Sequence, residues 1–232
     1  MSLILNIESA TDICSIAISQ NGVPLALCEA QGNHHAEQIT LLINDCLKTC
    51  DIPINALDAV AISNGPGSYT SLRIGASTAK GICYALNIPL IAVDTLDSLA
   101  WATFKDMADN TALYCPMIDA RRMEVYTTLF QVSKMTGELE KIEPMQPKII
   151  DENSYSEFFE KNKKIIFSGS GASKCTTVLT HANAVILNHL CSAKNLIALS
   201  EKKFLEKKFV DIAYHTPQYL KAPNITQGKK QL

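Results

Sequence analysis

The amino-acid sequence predicts an α/β protein of two related lobes, and two observations carry this prediction. A β-hairpin pattern at the start is followed by alternating helix and strand patterns. A second unit of strand, glycine-rich turn and helix begins near residue 164. An opening hairpin with later crossovers is typical of helices packed on mixed sheets. Hydrophobic residues make up 47% of the 232 residues, which is enough to bury one large core or two modest ones.

The first hundred residues show four regular patterns in succession. Asn21 and Gly22 separate two apolar runs, and this pair favours a tight hairpin turn because both residues tolerate positive φ. Apolar positions then recur every three or four residues over residues 39–50, which predicts an amphipathic helix. Residues 59–63 have the pattern of a buried strand. The helix predicted over residues 72–86 is rich in small side chains, so we expect another helix to pack closely against it.

The second half of the chain repeats the alternation less regularly. Apolar runs predict strands over residues 112–118 and 124–132. Residues 137–148 indicate a loop, because they hold two prolines and several charges. A strand over residues 164–167 leads into a glycine-rich turn at 168–171 and a helix.

Composition turns polar near residues 102–110, and we place the boundary between the lobes there. The first lobe is predicted to span residues 1–101 and the second residues 102–232. The C-terminal tail of the second lobe can pack back on the first.

The overall composition argues against several classes of protein. A net charge of −2 argues against a surface that grips nucleic acid directly, because Lys and Arg supply most of the affinity for phosphates. No apolar run approaches the roughly 20 residues that cross a bilayer, and no basic segment precedes an apolar stretch at the start. The eight cysteines lie singly, without a CxxC pair, as core residues of a reducing compartment do. We therefore expect a cytoplasmic protein that meets no membrane.

Two glycine- and hydroxyl-rich segments are candidates for phosphate contact. The turn after the first strand offers hydroxyl groups and an acid that can hold a hydrated metal ion. The glycine-rich loop after residue 63 opens a helix, whose free N–H groups form an anion site. Without further context, an ordinary structural turn explains the first segment better and the loop equally well, and the loop lacks the GK[ST] of a P-loop. The candidate residues are Glu8, Ser9, Thr11, Gly65, Gly67, Ser68 and Arg73.

A metal site is not expected. His34, His35 and Glu37 are close in sequence, but adjacent histidines cannot face one point on a helix. Neither HExxH nor another zinc-binding spacing occurs in the chain. No nucleophile elbow or Cys and His pairing signal indicates hydrolytic chemistry.

Four segments together resemble one protein family. They are residues 4–17, the loop 65–75 with its Leu-Arg-Ile-Gly ending, the block 118–126 with Ile-Asp-Ala-Arg, and residues 217–221 with Pro-Gln-Tyr-Leu-Lys. In order and spacing these segments resemble the TsaB (YeaZ) family of proteins for threonylcarbamoyladenosine formation in tRNA. The resemblance is strong over the first 130 residues and thin from about 131 to 210.

This resemblance implies an actin-like fold of the Hsp70 and sugar-kinase type, with an intact N-terminal lobe and a shortened second lobe. It implies a non-catalytic scaffold or activator that pairs with the catalytic TsaD-type protein through the two helices of the first lobe. On this chain the implied interface is Ile39, Leu42, Ile43, Cys46, Leu47, Leu72, Gly75, Ala76 and Ala79.

The same resemblance implies further partners. A TsaE-type ATPase joins the pair, and adenosine 37 of tRNA is modified at N6, with this chain touching tRNA only indirectly. No cofactor is expected, apart from ATP or ADP at the partner interface. Alone, the chain is expected to form a homodimer through the same helices.

The sequence departs from the family pattern at Ser71, where glycine is common, and at Lys221, where arginine is usual. If the family's glycine has positive φ, Ser71 either bears a cost of about 1 kcal/mol or adopts another turn, which argues against phosphate binding by this loop. Two other functions stay open at this point. One is a stand-alone nucleotide-dependent transferase or kinase, and the other, less favoured, is a metalloprotease.

Overall fold

The computed structural model describes residues 1–32 and 34–222, and its first five strands form one twisted sheet. These strands are β1 Leu3–Glu8, β2 Ile13–Gln20, β3 Val23–Gln31, β4 Ala59–Ser63 and β5 Leu90–Val93. Their order in space is β3-β2-β1-β4-β5. The strand β1 is antiparallel to β2 and parallel to β4, so the sheet joins a meander to crossover units.

The second sheet is built from shorter strands. They are β6 Leu113–Asp119, β7 Glu124–Thr127, β8 Phe130–Val132, β9 Leu139–Lys141, β10 Gln146–Ile149, β11 Ile165–Ser168 and β12 Ala184–Leu187. The main path runs β10-β7-β6-β11-β12, and β8 pairs with both β6 and β9. The continuous strand expected over residues 124–132 is therefore broken in two, and the expected loop at 137–148 contains one short strand and the start of another.

The α-helices of the described residues are α1 His35–Thr49, α2 Tyr69–Leu86, α3 Thr95–Met107, α4 Ser156–Glu160, α5 Ser170–Lys174 and α6 Ala193–Leu205. Helices α1 and α2 pack together on one face of the first sheet, over side chains such as Ile7 and Ile16. The opposite face, which includes Ile4 and Ala17, is covered by α6. The strands β1, β4 and β5 are thus buried on both faces, whereas the edge strand β3 is largely exposed.

The hairpin between β2 and β3 shows how local sequence sets this architecture. Asn21 and Gly22 have φ angles of 49° and 75°, so both occupy the left-handed region. A two-residue turn of this kind matches the right-handed twist of the flanking strands. The turn predicted from the Asn-Gly pair is confirmed.

The two lobes are linked by more than one segment. The expected boundary at residues 101 and 102 falls inside α3, and α6 returns to the first sheet after the second lobe is complete. After α6, the Val210 amide donates to the Leu90 carbonyl at 2.9 Å, next to the edge of the first sheet. Within residues 1–32 and 34–222, no helix combines the length and the apolar character that a membrane crossing requires.

Candidate functional site

The glycine-rich loop is packed against the turn between β1 and β2. The Ser68 amide donates to the Ala10 carbonyl at 2.7 Å. A Cβ atom on Gly67 would lie 2.3 Å from that same carbonyl oxygen. The approach therefore requires glycine, because any larger residue would push two stretches of backbone apart. At least one N–H group of the loop is used inside the protein.

Ser68 begins α2 as its N-cap residue. Its Oγ accepts from the Ser71 amide at 3.4 Å and lies 3.0 Å from the Ser71 hydroxyl. Ser71 sits in the first helical turn and is not among the residues with positive φ. Of the two alternatives for Ser71, the strained conformation does not occur, because the helix begins before this residue and its hydroxyl joins the cap.

The first turn places its acid in the interior. Glu8 is completely buried, and its Oε1 accepts from the Ala10 amide at 2.7 Å. Its Oε2 has no hydrogen-bond partner among the described residues. Burial raises the pKa of Glu8 to about 7, although the Ala10 hydrogen bond acts in the opposite direction.

A cleft of about 860 Å³ lies between the lobes, in front of these two loops. Thr11, Gly67 and Ser68 line it from the first lobe. Of the other predicted phosphate contacts, Glu8, Ser9, Gly65 and Arg73 are not part of its wall. Glu8 and Ser9 are buried below the turn, and Gly65 packs on the C-terminal segment.

The side chain of Arg73 lies beside the ring of Tyr69. Its guanidinium carbon lies 5.4 Å from the centre of the Tyr69 ring, and its Nη1 is 3.4 Å from the Tyr69 hydroxyl. Arg73 lines a hollow between α1 and α2 instead. One turn of helix separates Arg73 from the N–H groups at the start of α2, which form the predicted anion site.

The second lobe supplies the far wall of the cleft through the turn between β6 and β7. Arg121 and Arg122 have φ angles of 70° and 51°, a left-handed pair of exposed non-glycine residues. Conformations of this kind cost roughly 1 kcal/mol or more each and cluster at functional sites. Asp119, at the start of the turn, forms an ion pair with Lys174.

The C-terminal segment crosses the cleft as a strap, which we define as residues 217–222. The Gln218 amide donates to the Asn64 carbonyl at 2.7 Å, and the Tyr219 ring lies 4.6 Å from that of Tyr69. Lys221, where arginine is usual, forms an ion pair with Glu124 of the second lobe. The strap therefore bridges both lobes.

Sequence reasoning missed these cleft residues as a site. The additional wall residues include Asp119, Arg121, Tyr126, Ser170, Gln218, Tyr219, Leu220 and Lys221. Most of them lie in blocks 118–126 and 217–221, whose pattern carried the family resemblance. The signal was present in the sequence, but two segments about 100 residues apart gave no indication that they meet.

A second depression runs along the outer surface of α1 and α2, and we call it the helix groove. Its larger part, of about 760 Å³, is lined by Ile43, Leu47, Ile52, Ile54 and Ile82 among others. A smaller part of about 410 Å³ continues it toward the start of α2. Both parts share Thr40, Ser77 and Thr78. The groove is thus continuous, and more of its wall is apolar than polar.

Most of the predicted partner interface lies in the protein's own core, which corrects the prediction residue by residue. The side chains of Ile39, Ile43, Cys46, Leu47, Leu72, Ala76 and Ala79 are at most 8% exposed. A Cβ atom on Gly75 would lie 2.3 Å from the Ser9 hydroxyl oxygen, so this glycine admits the β1–β2 turn and not a partner. Only Ile39, Ile43 and Leu47 also contribute to the groove wall, and Leu42 is half-buried.

The surface of these helices contains residues that the apolar stripe did not predict. Ser77 and Gly81 are exposed and line the groove, and nothing lies within 4 Å of a Cβ atom on Gly81. Leu41 and Tyr84 are 61% and 85% exposed. Exposed apolar side chains that lie together on a surface are typical of interaction sites.

The two adjacent histidines point to different surroundings. His35 is buried and burial lowers its pKa, whereas the exposed His34 lies 3.7 Å from Glu37. Over residues 1–32 and 34–222, no three His, Cys, Asp or Glu side chains converge as metal ligands would.

The chain is similar to proteins of tRNA threonylcarbamoyladenosine biosynthesis. The family model described as TsaD, tRNA N6-adenosine threonylcarbamoyltransferase, matches residues 26–228. The Escherichia coli tRNA threonylcarbamoyladenosine biosynthesis protein TsaB is 27% identical over 94% of both chains. The protein of that name from Haemophilus influenzae is 32% identical, but the match spans only 53% of this chain and 51% of that one.

A solved structure described as YeaZ from Pseudomonas aeruginosa aligns with 95% of this chain and all of its own, at a TM-score of 0.78 and 24% identity. The actin-like fold expected from the sequence is confirmed. The chain therefore belongs to the family that the TsaD model describes, and within it to the TsaB (YeaZ) proteins.

Proposed function

We propose that this chain acts in tRNA threonylcarbamoyladenosine biosynthesis as a non-catalytic scaffold or activator. In this proposal it binds a TsaD-type catalytic protein in the cytoplasm through the helix groove. A TsaE-type ATPase joins the pair, and tRNA is contacted mainly by the other subunits. The continuous apolar groove between α1 and α2 is the observation that carries the proposal.

The groove has the features of a docking surface. Its walls combine aliphatic side chains such as Ile52 and Ile82 with short polar ones such as Ser77 and Thr78. Small residues at a helix surface let a second helix approach closely, which increases the apolar area that becomes buried. An apolar depression rimmed by polar groups is typical of protein interaction sites. The family model names a protein of the pathway with which such a subunit would pair.

The loops at the cleft favour a supporting role over a catalytic one. The Ser68 amide binds the Ala10 carbonyl, so it does not point freely at a phosphate. Glu8 faces the interior, where a carboxylate cannot reach a ligand in the cleft without rearrangement. Tyr219 and Lys221 of the strap tie the cleft walls together.

A stand-alone nucleotide-binding transferase is the second candidate, and the cleft favours it. The volume of about 860 Å³ is within the range of small-molecule sites. Thr11, Ser68 and Arg121 offer hydroxyl and guanidinium groups from both lobes. Calorimetry with Mg-ATP and Mg-ADP tests this candidate: tight binding by the isolated chain would support it, whereas no heat at millimolar nucleotide would leave the scaffold function.

The scaffold function is tested by light scattering after size exclusion, on the chain alone and mixed with the TsaD-type protein of the same organism. We expect a homodimer alone and a one-to-one complex in the mixture. Gly81→Glu places a charge in the groove without disturbing the core, and it should weaken the complex by a factor of about 30 or more, or about 2 kcal/mol.

Ala198→Glu is the matched control for this substitution. Ala198 is an exposed residue of α6, which lies on the opposite face of the first sheet. The control variant should form the complex like the unchanged chain. A complex that tolerates Gly81→Glu, or that is lost equally in both variants, would contradict docking through the helix groove.

A further inference from the structure

Three cysteines gather where α1 crosses the edge strand β3. Cys28 lies on β3 and is half-buried, Cys46 lies on α1 and is fully buried, and Cys50 caps the end of α1. All three belong to, or pack against, the same apolar cluster of the first lobe. They come from two elements, so their proximity depends on the fold and not on sequence spacing alone.

The positions of Cys28 and Cys46 are fixed by one residue of the neighbouring strand. The Cys46 thiol donates to the Ile16 carbonyl oxygen at 3.2 Å. Ile16 is also the register partner of Cys28 in the β2–β3 ladder. Directly opposed residues of an antiparallel pair project their side chains from the same face. The Cys46 sulfur consequently lies against the β2–β3 ladder at the position of Cys28.

We propose that Cys28 and Cys46 are a redox modification site, at which a peroxide joins α1 to β3 by a reversible disulfide. The Cys28 thiolate attacks one oxygen of hydrogen peroxide and becomes a sulfenic acid, with water as the leaving product. The Cys46 thiolate then attacks the Cys28 sulfur and displaces hydroxide, which leaves as a second water. Two thiols are oxidised by two electrons, and one peroxide is reduced to two waters.

The exposure of the two residues assigns their roles. Cys28 is half-buried and so reaches the solvent-borne oxidant, whereas Cys46 is 0% exposed and can react only with a neighbour inside the protein. Burial and the nearby Cys28 raise the pKa of the Cys46 thiol. Because the thiolate is the reacting species, the bond should form faster as pH rises.

Cys50 offers a competing partner, and the geometry favours Cys46. The Cys46 thiol contacts the backbone of Ile16, which pairs with Cys28, whereas Cys50 lies one turn further on at the C-cap of α1. The three thiols also do not converge as ligands of one ion within the described part of the chain. A disulfide therefore fits this cluster better than a metal does. The bond would fix α1 on the sheet from the side opposite the helix groove.

The test treats the folded, reduced protein with hydrogen peroxide, blocks the remaining thiols with an alkylating reagent, and maps cross-linked peptides by mass spectrometry. We expect one cross-link between Cys28 and Cys46, lighter by two hydrogen atoms and reversed by a thiol reductant. Cys28→Ser and Cys46→Ser should abolish it, and Cys50→Ser, one helical turn from Cys46, should leave it unchanged.

Three results would overturn the proposal: no cross-link, a bond from Cys28 to Cys50, or a cross-link that persists in Cys28→Ser. Cys46→Ser keeps a donor for the Ile16 carbonyl, but its site is buried and the variant can fail to fold. Cys28→Ser lies at the half-buried position and keeps the test decisive, with circular dichroism as the check of folding.

Discussion

The helix groove and the interlobe cleft are depressions of similar volume, about 760 Å³ and 860 Å³, yet their contents differ. The groove has apolar walls, and no other segment of the described chain crosses it. The cleft has polar walls, and the strap crosses it through Tyr219 and Lys221. In the groove, apolar surface remains available for a partner. In the cleft, the groups that could bind a ligand are partly used by the chain itself.

This difference shows where internal packing limits substitution and where it does not. Gly67 is held by contact with the Ala10 backbone, while Gly81 in the groove faces open space. The cleft side is thus constrained by internal packing, whereas a Cβ atom at an exposed groove position such as Gly81 meets no neighbouring atom within 4 Å. Substitutions should therefore affect stability at the cleft and association at the groove.

The largest expected effect concerns Glu8, behind the cleft. Its pKa is about 7 in the folded protein and 4.5 in the reference state, so the folded state holds the proton more tightly. The stabilisation from this proton is complete below pH 4.5, declines between the two values and is lost above about pH 7, and amounts to about 3 kcal/mol. Relative to the unchanged chain, Glu8→Gln should gain about 2.5 kcal/mol of stability between pH 5 and pH 8, because part of the effect is already lost at pH 5.

Urea unfolding at the two pH values measures this difference. Glu157→Gln, at an exposed position of α4, controls for the loss of one carboxylate. If the free energy of unfolding of Glu8→Gln differs from that of the unchanged chain by the same amount at both pH values, the pKa of Glu8 is not raised in the folded protein.

Gly67→Ala should have the next largest effect, a loss of stability. The new Cβ atom would lie 2.3 Å from the Ala10 carbonyl oxygen and 2.7 Å from its Cβ, and neither backbone segment can move alone. Overpacking of this kind costs about 2 kcal/mol. Chemical denaturation measures the loss, and a variant of unchanged stability would show that the two loops separate easily and that the cleft is more open than described.

A smaller effect is expected where the strap meets the first lobe. Tyr219→Ala removes the ring that packs on Tyr69, and an aromatic pair contributes about 1 kcal/mol. Tyr219→Phe keeps the ring and should keep the stability. Hydrogen exchange at the Gln218 amide, which donates to Asn64, reports the local effect. Equal exchange rates in the Ala and Phe variants would mean that the ring does not hold the strap.

Gly81→Ala, in the groove, should have the smallest effect and the opposite sign. Alanine is favoured over glycine inside a helix by about 1 kcal/mol, and the added methyl group meets no atom within 4 Å. Thermal unfolding should show a modest gain in the melting temperature. A loss of stability would indicate that the groove is already filled in the isolated chain.

The sequence predicts elements best where local chemistry decides the structure. The Asn21-Gly22 turn and the strand β4 Ala59–Ser63 follow the prediction, because turn preference and an apolar run suffice to specify them. The break between β7 and β8 and the short strand β9 could not be predicted, because three residues carry too little periodicity and the pairing of such strands depends on distant partners.

The candidate site was harder to predict for the same reason. The apolar stripe of α1 predicts which face is buried, but it does not say whether the cover is a partner or the chain's own sheet. Cys46, at 0% exposure, shows that the cover is the sheet. Arg73 looked like part of the anion site by its place in the sequence, yet its helical position turns it toward Tyr69.

The return of α6 to the first sheet has a consequence for how the protein is made. The apolar face that includes Ile4 and Ala17 forms near the start of the chain, but Leu196 and Ile197, which cover it, are synthesised almost 200 residues later. Contacts so distant in sequence form slowly and leave apolar surface exposed meanwhile. During translation the first lobe therefore cannot complete its folding before α6 is synthesised. A chain stopped before α6 would expose this apolar face of the sheet to chaperones.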